Sequence, residues 1–166
     1  MITPLSRTLR GALLALALVA LGPVTDAIAA PALKVPAAPA VAAAAQALGA
    51  THWQREACGG QVAITWEHLG SRRNAESRWS APAGGDPSSY MRCTIAFSLD
   101  ARWDWPKFCT VTEHELGHLN GHVHVDDDAD LISPYYFDAT PECRRAPMPG
   151  APAHKARAST RRAAGR

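Results

Sequence analysis

Apolar residues recur at every second position in two stretches of the chain, a period typical of β-strands. In residues 61–66, Val62, Ile64 and Trp66 share one face. In residues 91–100, one face carries polar or small side chains and the other carries Cys93, Ile95, Phe97 and Leu99. We expect a shorter strand at residues 75–80, around Trp79. The pattern therefore predicts a small sheet of short strands.

Helical signals lie on both sides of the predicted sheet. Residues 42–50 belong to an Ala-rich stretch and predict a helix N-terminal to the sheet. After the last strand, Asp104 suits a helix cap and Pro106 suits a first helical turn, so we expect a helix over residues 106–120. Its buried contacts are expected to come from Phe108, Val111, Leu116 and Leu119. The predicted fold class is α+β, with a small twisted sheet packed on one long helix.

The long helix ends in the sequence H-E-x-x-H-x-x-G-x-x-H, which begins at His114. Residues four apart lie on one helix face, so His114 and His118 can present two imidazoles to one point. Gly121 can adopt a positive φ and end the helix, after which His124 can supply a third nitrogen. Three protein ligands and an open position are typical of a catalytic zinc, whereas structural zinc sites have four ligands. Glu115 lies beside this face and can hold a water next to the metal.

The alternative interpretation is a solvated, His-rich helix end that binds metal only in passing. Chance produces all five fixed positions of the motif in roughly 5 of 100,000 chains of this length, which favours a built site. We therefore predict His114, His118 and His124 as ligands of one zinc ion. Glu115 is predicted to be the general base that takes a proton from water and delivers it to the leaving amine.

These eleven residues resemble the zinc signature of the metzincin metallopeptidases. The residues that follow, D-L-I-S-P-Y-Y at 130–136, resemble the Met-turn of the matrixin branch of that family. Ile132 stands where the family carries a methionine, whose side chain forms an apolar floor below the zinc. Ile132 keeps this floor apolar, but its β-branched side chain is stiffer than methionine. The resemblance covers residues 110–136, with only a loose match of strand pattern upstream.

The resemblance implies a zincin-like fold and a zinc-dependent endopeptidase. In the family, the edge strand of the sheet pairs with the substrate backbone, although the pattern does not indicate which strand is the edge here. In some metzincins a tyrosine after the Met-turn holds the oxyanion, and Tyr135 and Tyr136 lie in that region, with packing as the alternative role. Matrixins block their zinc with a pro-segment cysteine, which Cys58 before Gly59 faintly resembles.

The amino end has the pattern of a secretory signal peptide. A basic region, an apolar run over residues 11–21 and the small residues at 27–29 predict cleavage near the end of residues 1–29. An uncleaved membrane anchor is the alternative, but a membrane-spanning helix needs about 20 apolar residues. The mature protein is therefore expected to be secreted and extracellular, without a membrane segment.

Export favours two disulfides among the four cysteines, which lie far apart and form no C-x-x-C pair. Four cysteines allow three pairings, and the spacing does not choose among them. We favour Cys58–Cys93, which would join the sheet half, together with Cys109–Cys143, which would tie the long helix to the segment after the Met-turn. Such disulfides stabilise a small secreted core by about 2–4 kcal/mol each.

The remaining segments are defined by composition. Residues 30–45 are Ala/Pro-rich and predict a linker or short pro-segment. Residues 46–146 are predicted to form the catalytic domain. Residues 147–166 predict a basic tail with too few apolar residues to fold. The net charge of +2 gives no reason to expect a nucleic-acid partner. The acidic residues after the third histidine suggest calcium, a hydrogen-bond acceptor for a zinc histidine, or a solvated loop; we favour the loop, because their spacing fits no calcium motif. These residues are Asp126, Asp127, Asp128 and Asp130.

The sequence therefore predicts a secreted, monomeric zinc endopeptidase that acts on a peptide or protein substrate. One alternative is a secreted zinc-binding protein that keeps the metzincin-like site without catalysis, an interpretation motivated by Ile132 and the short sheet region. Another is a disulfide-held interaction domain whose histidines are incidental. No motif in the chain indicates the substrate or the cleavage specificity.

Overall fold

A computed structural model describes residues 32–136 and 138–151 of the 166-residue chain. The predicted signal peptide and residues 152–166 of the predicted tail lie outside these ranges. In chain order the helices and strands are α1 (Pro39–Trp53), β1 (Val62–Glu67), β2 (Ala75–Ser80), β3 (Met91–Ser98), α2 (Trp105–Leu119) and α3 (Pro141–Arg145). The predicted α+β class, the three strands and the helix N-terminal to the sheet are confirmed.

The three strands form one mixed sheet in the order β1-β3-β2. β1 pairs with β3 in parallel, and β2 pairs with β3 in antiparallel orientation. Both β1 and β2 are therefore edges. Both faces of β3 are buried in its second half, since Ile95, Ala96, Phe97 and Ser98 are all 0% exposed. The reason is its central position, where small residues such as Ala96 and Ser98 also face protein.

α2 forms because its amino end is capped as the sequence predicts. Asp104 is the N-cap residue, and its Oδ1 accepts a hydrogen bond from the Lys107 amide at 2.9 Å. Pro106 occupies the first turn, where its missing N–H costs nothing. The helix buries Phe108, Val111, Leu116 and Leu119, as expected. It packs against β2, β3, α1 and α3, so it is the element that every other layer contacts.

α1 begins at Pro39, inside the stretch 30–45, whose composition predicts a linker or short pro-segment. The folded domain extends this far because Val41 and Ala45 are buried in the core. Upstream of the helix, the Leu33 amide also donates to the Trp103 carbonyl at 2.9 Å. α1 lies directly on α2, since an ideal Cβ on Gly49 would stand 2.5 Å from Leu116 Cδ1. A side chain at this position would require Leu116 to shift.

An aromatic cluster fills the space between the sheet and α2. Its ring centroids lie 4.7–6.1 Å apart, and it consists of Trp66, Phe97, Trp103 and Phe108. Trp103 and Trp105 are 5% and 3% exposed, so both pack in the interior. Each indole N–H has a partner: Trp103 donates to the Ser98 carbonyl and Trp105 donates to the Ala146 carbonyl.

Two disulfides connect these layers, and they have the pairing that the sequence analysis favoured. Cys58–Cys93 joins the turn before β1 to β3, and Cys109–Cys143 joins α2 to α3. Cys58 is therefore not a free thiol that could block a metal. Just beyond α3, Met148 packs against the core, within the stretch assigned to the tail. Among the described residues, no helix is both long and apolar enough to cross a bilayer.

Candidate metal centre

Three histidines converge at the carboxyl end of α2. The distances between their Nε2 atoms are 3.0 Å for His114 and His118, 3.1 Å for His118 and His124, and 3.3 Å for His114 and His124. His114 and His118 lie one turn apart on α2. Gly121, with a φ of 91°, turns the chain back after the helix and allows His124 to reach the other two rings. The structure thus brings together all three histidines that the motif singled out.

The opposite ring nitrogens show which Nε2 atoms carry no proton. His114 Nδ1 lies 2.7 Å from the Leu131 carbonyl oxygen, and His118 Nδ1 lies 2.8 Å from the His122 carbonyl oxygen. A carbonyl oxygen can only accept a hydrogen bond, so each Nδ1 must carry the hydrogen. In the neutral rings Nε2 is then a bare lone pair, as a metal-bound histidine requires.

Two bare lone pairs 3.0 Å apart repel each other unless a cation lies between them. The His114 and His118 nitrogens cannot form a hydrogen bond in this tautomeric state. A tetrahedral zinc with bonds of about 2.0–2.1 Å separates its ligand atoms by roughly 3.3 Å, close to the separations of 3.0–3.3 Å observed here. The three histidines therefore form a candidate metal-binding group of suitable size, with room for a fourth ligand.

The surroundings also favour the uncharged rings that bind metals. Burial lowers the pKa of His114, and the neighbouring His118 adds to this effect. Burial likewise lowers the pKa of His124, with further contributions from His118 and His114. Lower pKa values keep these imidazoles neutral at a pH where exposed histidines begin to gain a proton.

Glu115 lies beside the three histidines and is only 5% exposed. Its Oε2 accepts a hydrogen bond of 2.6 Å from the Ser77 hydroxyl of β2. Burial raises the pKa of the Glu115 carboxyl, while the Ser77 hydrogen bond and His118 act against this rise. A buried carboxyl group with a raised pKa, next to a metal-binding group, suits a residue that accepts and returns a proton.

Trp53 and Ile132 hold the histidine-bearing turn of α2 from below. An ideal Cβ on Gly117 would lie 2.6 Å from both Ile132 Cδ1 and Trp53 Cζ2, so both side chains touch the backbone between the two helical histidines. Ile132 is 4% exposed and is thus a buried apolar residue at this point. The Trp53 indole donates to the Glu113 carbonyl at 2.7 Å and stacks on His122 at 4.3 Å. The His122 ring thus packs on Trp53, while its carbonyl orients His118.

The metal-binding group opens into a cavity of about 1170 Å³. One wall includes Ala75, Ser77 and Trp79 of the edge strand β2, and another is formed by the chain after His124. In that wall, burial raises the pKa of the Tyr136 hydroxyl to about 12. Two acidic side chains that precede Tyr136 accept hydrogen bonds from backbone amides of their own loop. Asp127 accepts from the Ala129 amide, and Asp130 accepts from the Ile132 amide.

Glu113 is a second buried carboxyl group on α2, 0% exposed. Its Oε2 accepts a 2.7 Å hydrogen bond from Thr140, the residue that caps α3. Among the described residues, no group donates a hydrogen bond to Oε1. Burial therefore raises the pKa of Glu113 from its usual 4.5 to about 7, against the effect of Thr140. Burial thus favours the protonated form of this side chain in the folded protein.

We expect Glu113→Gln to remove a pH-dependent loss of stability. Because the pKa is higher in the folded state, the folded protein keeps a proton that the unfolded chain releases above pH 4.5. The free energy of unfolding should therefore fall as the pH rises from about 4.5 to about 7, by up to about 3 kcal/mol. Denaturant unfolding at about pH 5 and about pH 8 checks this. An equal change with pH in both proteins would contradict the assignment.

Sequence reasoning missed three side chains that support this centre. Ser77 lies in the strand predicted at residues 75–80, but no local pattern marks its hydroxyl as a contact of Glu115. Trp53 was part of an unassigned stretch after the predicted helix. Glu113 precedes the motif directly, and its position one residue before His114 was the available signal.

Comparisons with protein-family models, with curated proteins and with solved structures found no match to this chain.

Proposed function

We propose that this protein is a secreted zinc-dependent endopeptidase of the metzincin type. The observation that carries the proposal is the convergence of three Nε2 atoms, two of them held as bare lone pairs, beside a buried carboxyl group at the wall of an open cavity. A purely structural zinc site would be closed by a fourth protein ligand. Among the described residues, the group of possible metal ligands at this point contains only the three histidines.

The chemistry assigns separate roles to the metal and to Glu115. A zinc ion on the three histidines would polarise the scissile carbonyl and make a water acidic enough to react near neutral pH. Glu115 takes one proton from the attacking water, whose oxygen adds to the carbonyl carbon of the peptide. When the C–N bond breaks, Glu115 delivers that proton to the leaving nitrogen. The residue ends the cycle ionised, as it began.

An extended peptide fits the cavity along β2. This strand is an edge of the sheet, so its outer backbone groups are available to pair with a substrate backbone. The Ser77 side chain of the same strand contacts Glu115, so a peptide on this edge would pass beside the histidines. The wall formed after His124 would then contact side chains of the substrate.

Ile132 motivates a second candidate function, a secreted zinc-binding protein without catalysis. It occupies the position of the family's methionine, and its buried, β-branched side chain lies directly against Gly117. In this function the three histidines bind zinc, but the stiffer side chain below them misplaces the reacting groups. The two functions differ in turnover but agree in zinc content.

Zinc analysis combined with a peptide-library digest tests the proposal. We expect about one zinc per purified chain, and we expect cleavage that a chelator stops and added zinc restores. A protein that contains stoichiometric zinc but cleaves no member of the library would support the binding function. A protein purified without zinc, which also takes up none from solution, would exclude both functions.

A further inference from the structure

We propose that Ser77 is the positioning residue of the catalytic base, an inference that rests on the proposed function. The Ser77 hydroxyl lies 2.6 Å from Glu115 Oε2 and 2.8 Å from the Glu115 carbonyl oxygen. It therefore bridges the side chain and the main chain of one residue. Because it occupies Oε2, it leaves Oε1 as the oxygen that meets the attacking water.

The Ser77 hydroxyl has one hydrogen to donate, and Oε2 can accept it in both protonation states of Glu115. While Glu115 is ionised, Ser77 donates to Oε2. When Oε1 has taken the proton from water, Oε2 is the carbonyl oxygen of the neutral carboxyl group and still accepts from Ser77. Oε2 therefore keeps a hydrogen-bond partner in both states, within a site where an unpartnered polar group would be costly.

The position of Ser77 links the base to the substrate edge of the sheet. Ser77 pairs with Ile95 of the central strand, whose side chain is 0% exposed, so its backbone position is fixed by the core. The same strand lines the cavity. One strand thus positions both a peptide that lies on β2 and the carboxylate of Glu115. This arrangement aligns the water, the base and the scissile bond.

Three variants test this role: Ser77→Ala, Ser77→Thr and Ser80→Ala. Ser80 is the matched control, because its hydroxyl on the same strand donates to the Met91 carbonyl and not to α2. We expect Ser77→Ala to lower kcat about 10- to 100-fold with little change in KM or zinc content, as for other partners that orient active-site groups. Ser77→Thr keeps the hydroxyl and should recover most of kcat. Ser80→Ala should behave as the wild type.

Several results would overturn the inference. If Ser77→Ala keeps the wild-type kcat, or if Ser80→Ala loses as much activity as Ser77→Ala, Ser77 has no specific role in positioning Glu115. A rise in KM at constant kcat would show that Ser77 acts on substrate binding through the strand. A zinc-loaded wild type without peptidase activity would overturn the proposed function and this inference together. An active wild type with a fully active Ser77→Ala variant overturns this inference alone.

Discussion

Replacing Glu115 with Gln should reduce peptide hydrolysis by roughly 10²–10⁴-fold, the usual contribution of a general base. The amide has nearly the same shape and can keep a hydrogen bond with Ser77, but it cannot accept a proton from water. The three imidazoles remain, so zinc content should stay at the wild-type level. The measurement is kcat/KM on a cleaved library peptide, together with metal analysis of the same sample.

Glu113→Gln provides the control for this substitution. It makes the same chemical change two residues earlier on α2, where the carboxyl group contacts Thr140 instead of Ser77. We expect this variant to retain peptidase activity at a pH where it is folded. If Glu115→Gln cleaves peptides at the wild-type rate, Glu115 is not the base, whatever the zinc content shows.

The long-range contacts of Ser77 explain why the supporting residues of the site could not be read from the sequence. Ser77 and Glu115 are 38 positions apart, and they meet only because β2 joins the sheet at the edge next to α2. Strand order is a property of the whole fold, so no local pattern around Ser77 contains it. The three histidines are different, because one helical turn and one glycine turn place all of them.

The central strand and α1 show a similar limit of local patterns. The alternation in residues 91–100 distinguishes an apolar face from a polar or small one, but it does not show that Ala96 and Ser98 are also buried, in a strand that β1 and β2 both flank. The Ala/Pro-rich stretch 30–45 has the composition of a linker, but α1 begins inside it, and two of its residues, Val41 and Ala45, reach the core. Composition predicts flexibility only when tertiary contacts do not intervene.

Residues 130–136, which resemble a Met-turn in sequence, support the three histidines in two ways. They place Ile132 against Gly117, below the histidine-bearing turn, and they present the Leu131 carbonyl to His114. The first contact depends on side-chain shape and the second on a main-chain acceptor. Neither contact needs a methionine sulfur, so Ile132 is compatible with a metal-binding centre.

Replacing His124 with Ala should lower zinc affinity by more than about 100-fold. Loss of a residue that merely orients a metal ligand costs 10- to 100-fold, and removal of a ligand itself should cost at least as much. His124 is the ligand to remove, because it lies beyond α2 and its loss leaves the helix intact. Competition with a chromogenic chelator gives the affinity, and circular dichroism shows whether the fold is kept.

His68→Ala is the matched control for that experiment, since His68 is exposed and its Nδ1 lies 2.8 Å from Asp100, away from the convergent histidines. Its zinc affinity should equal that of the wild type. If His124→Ala binds zinc as tightly as His68→Ala, two histidines and some other donor hold the metal. The open position would then have a different geometry, and the water-activating role proposed for this centre would fail. A loss of zinc affinity in His124→Ala alone would instead support a wild-type centre with three protein ligands and one exchangeable position, which is the arrangement that hydrolysis requires.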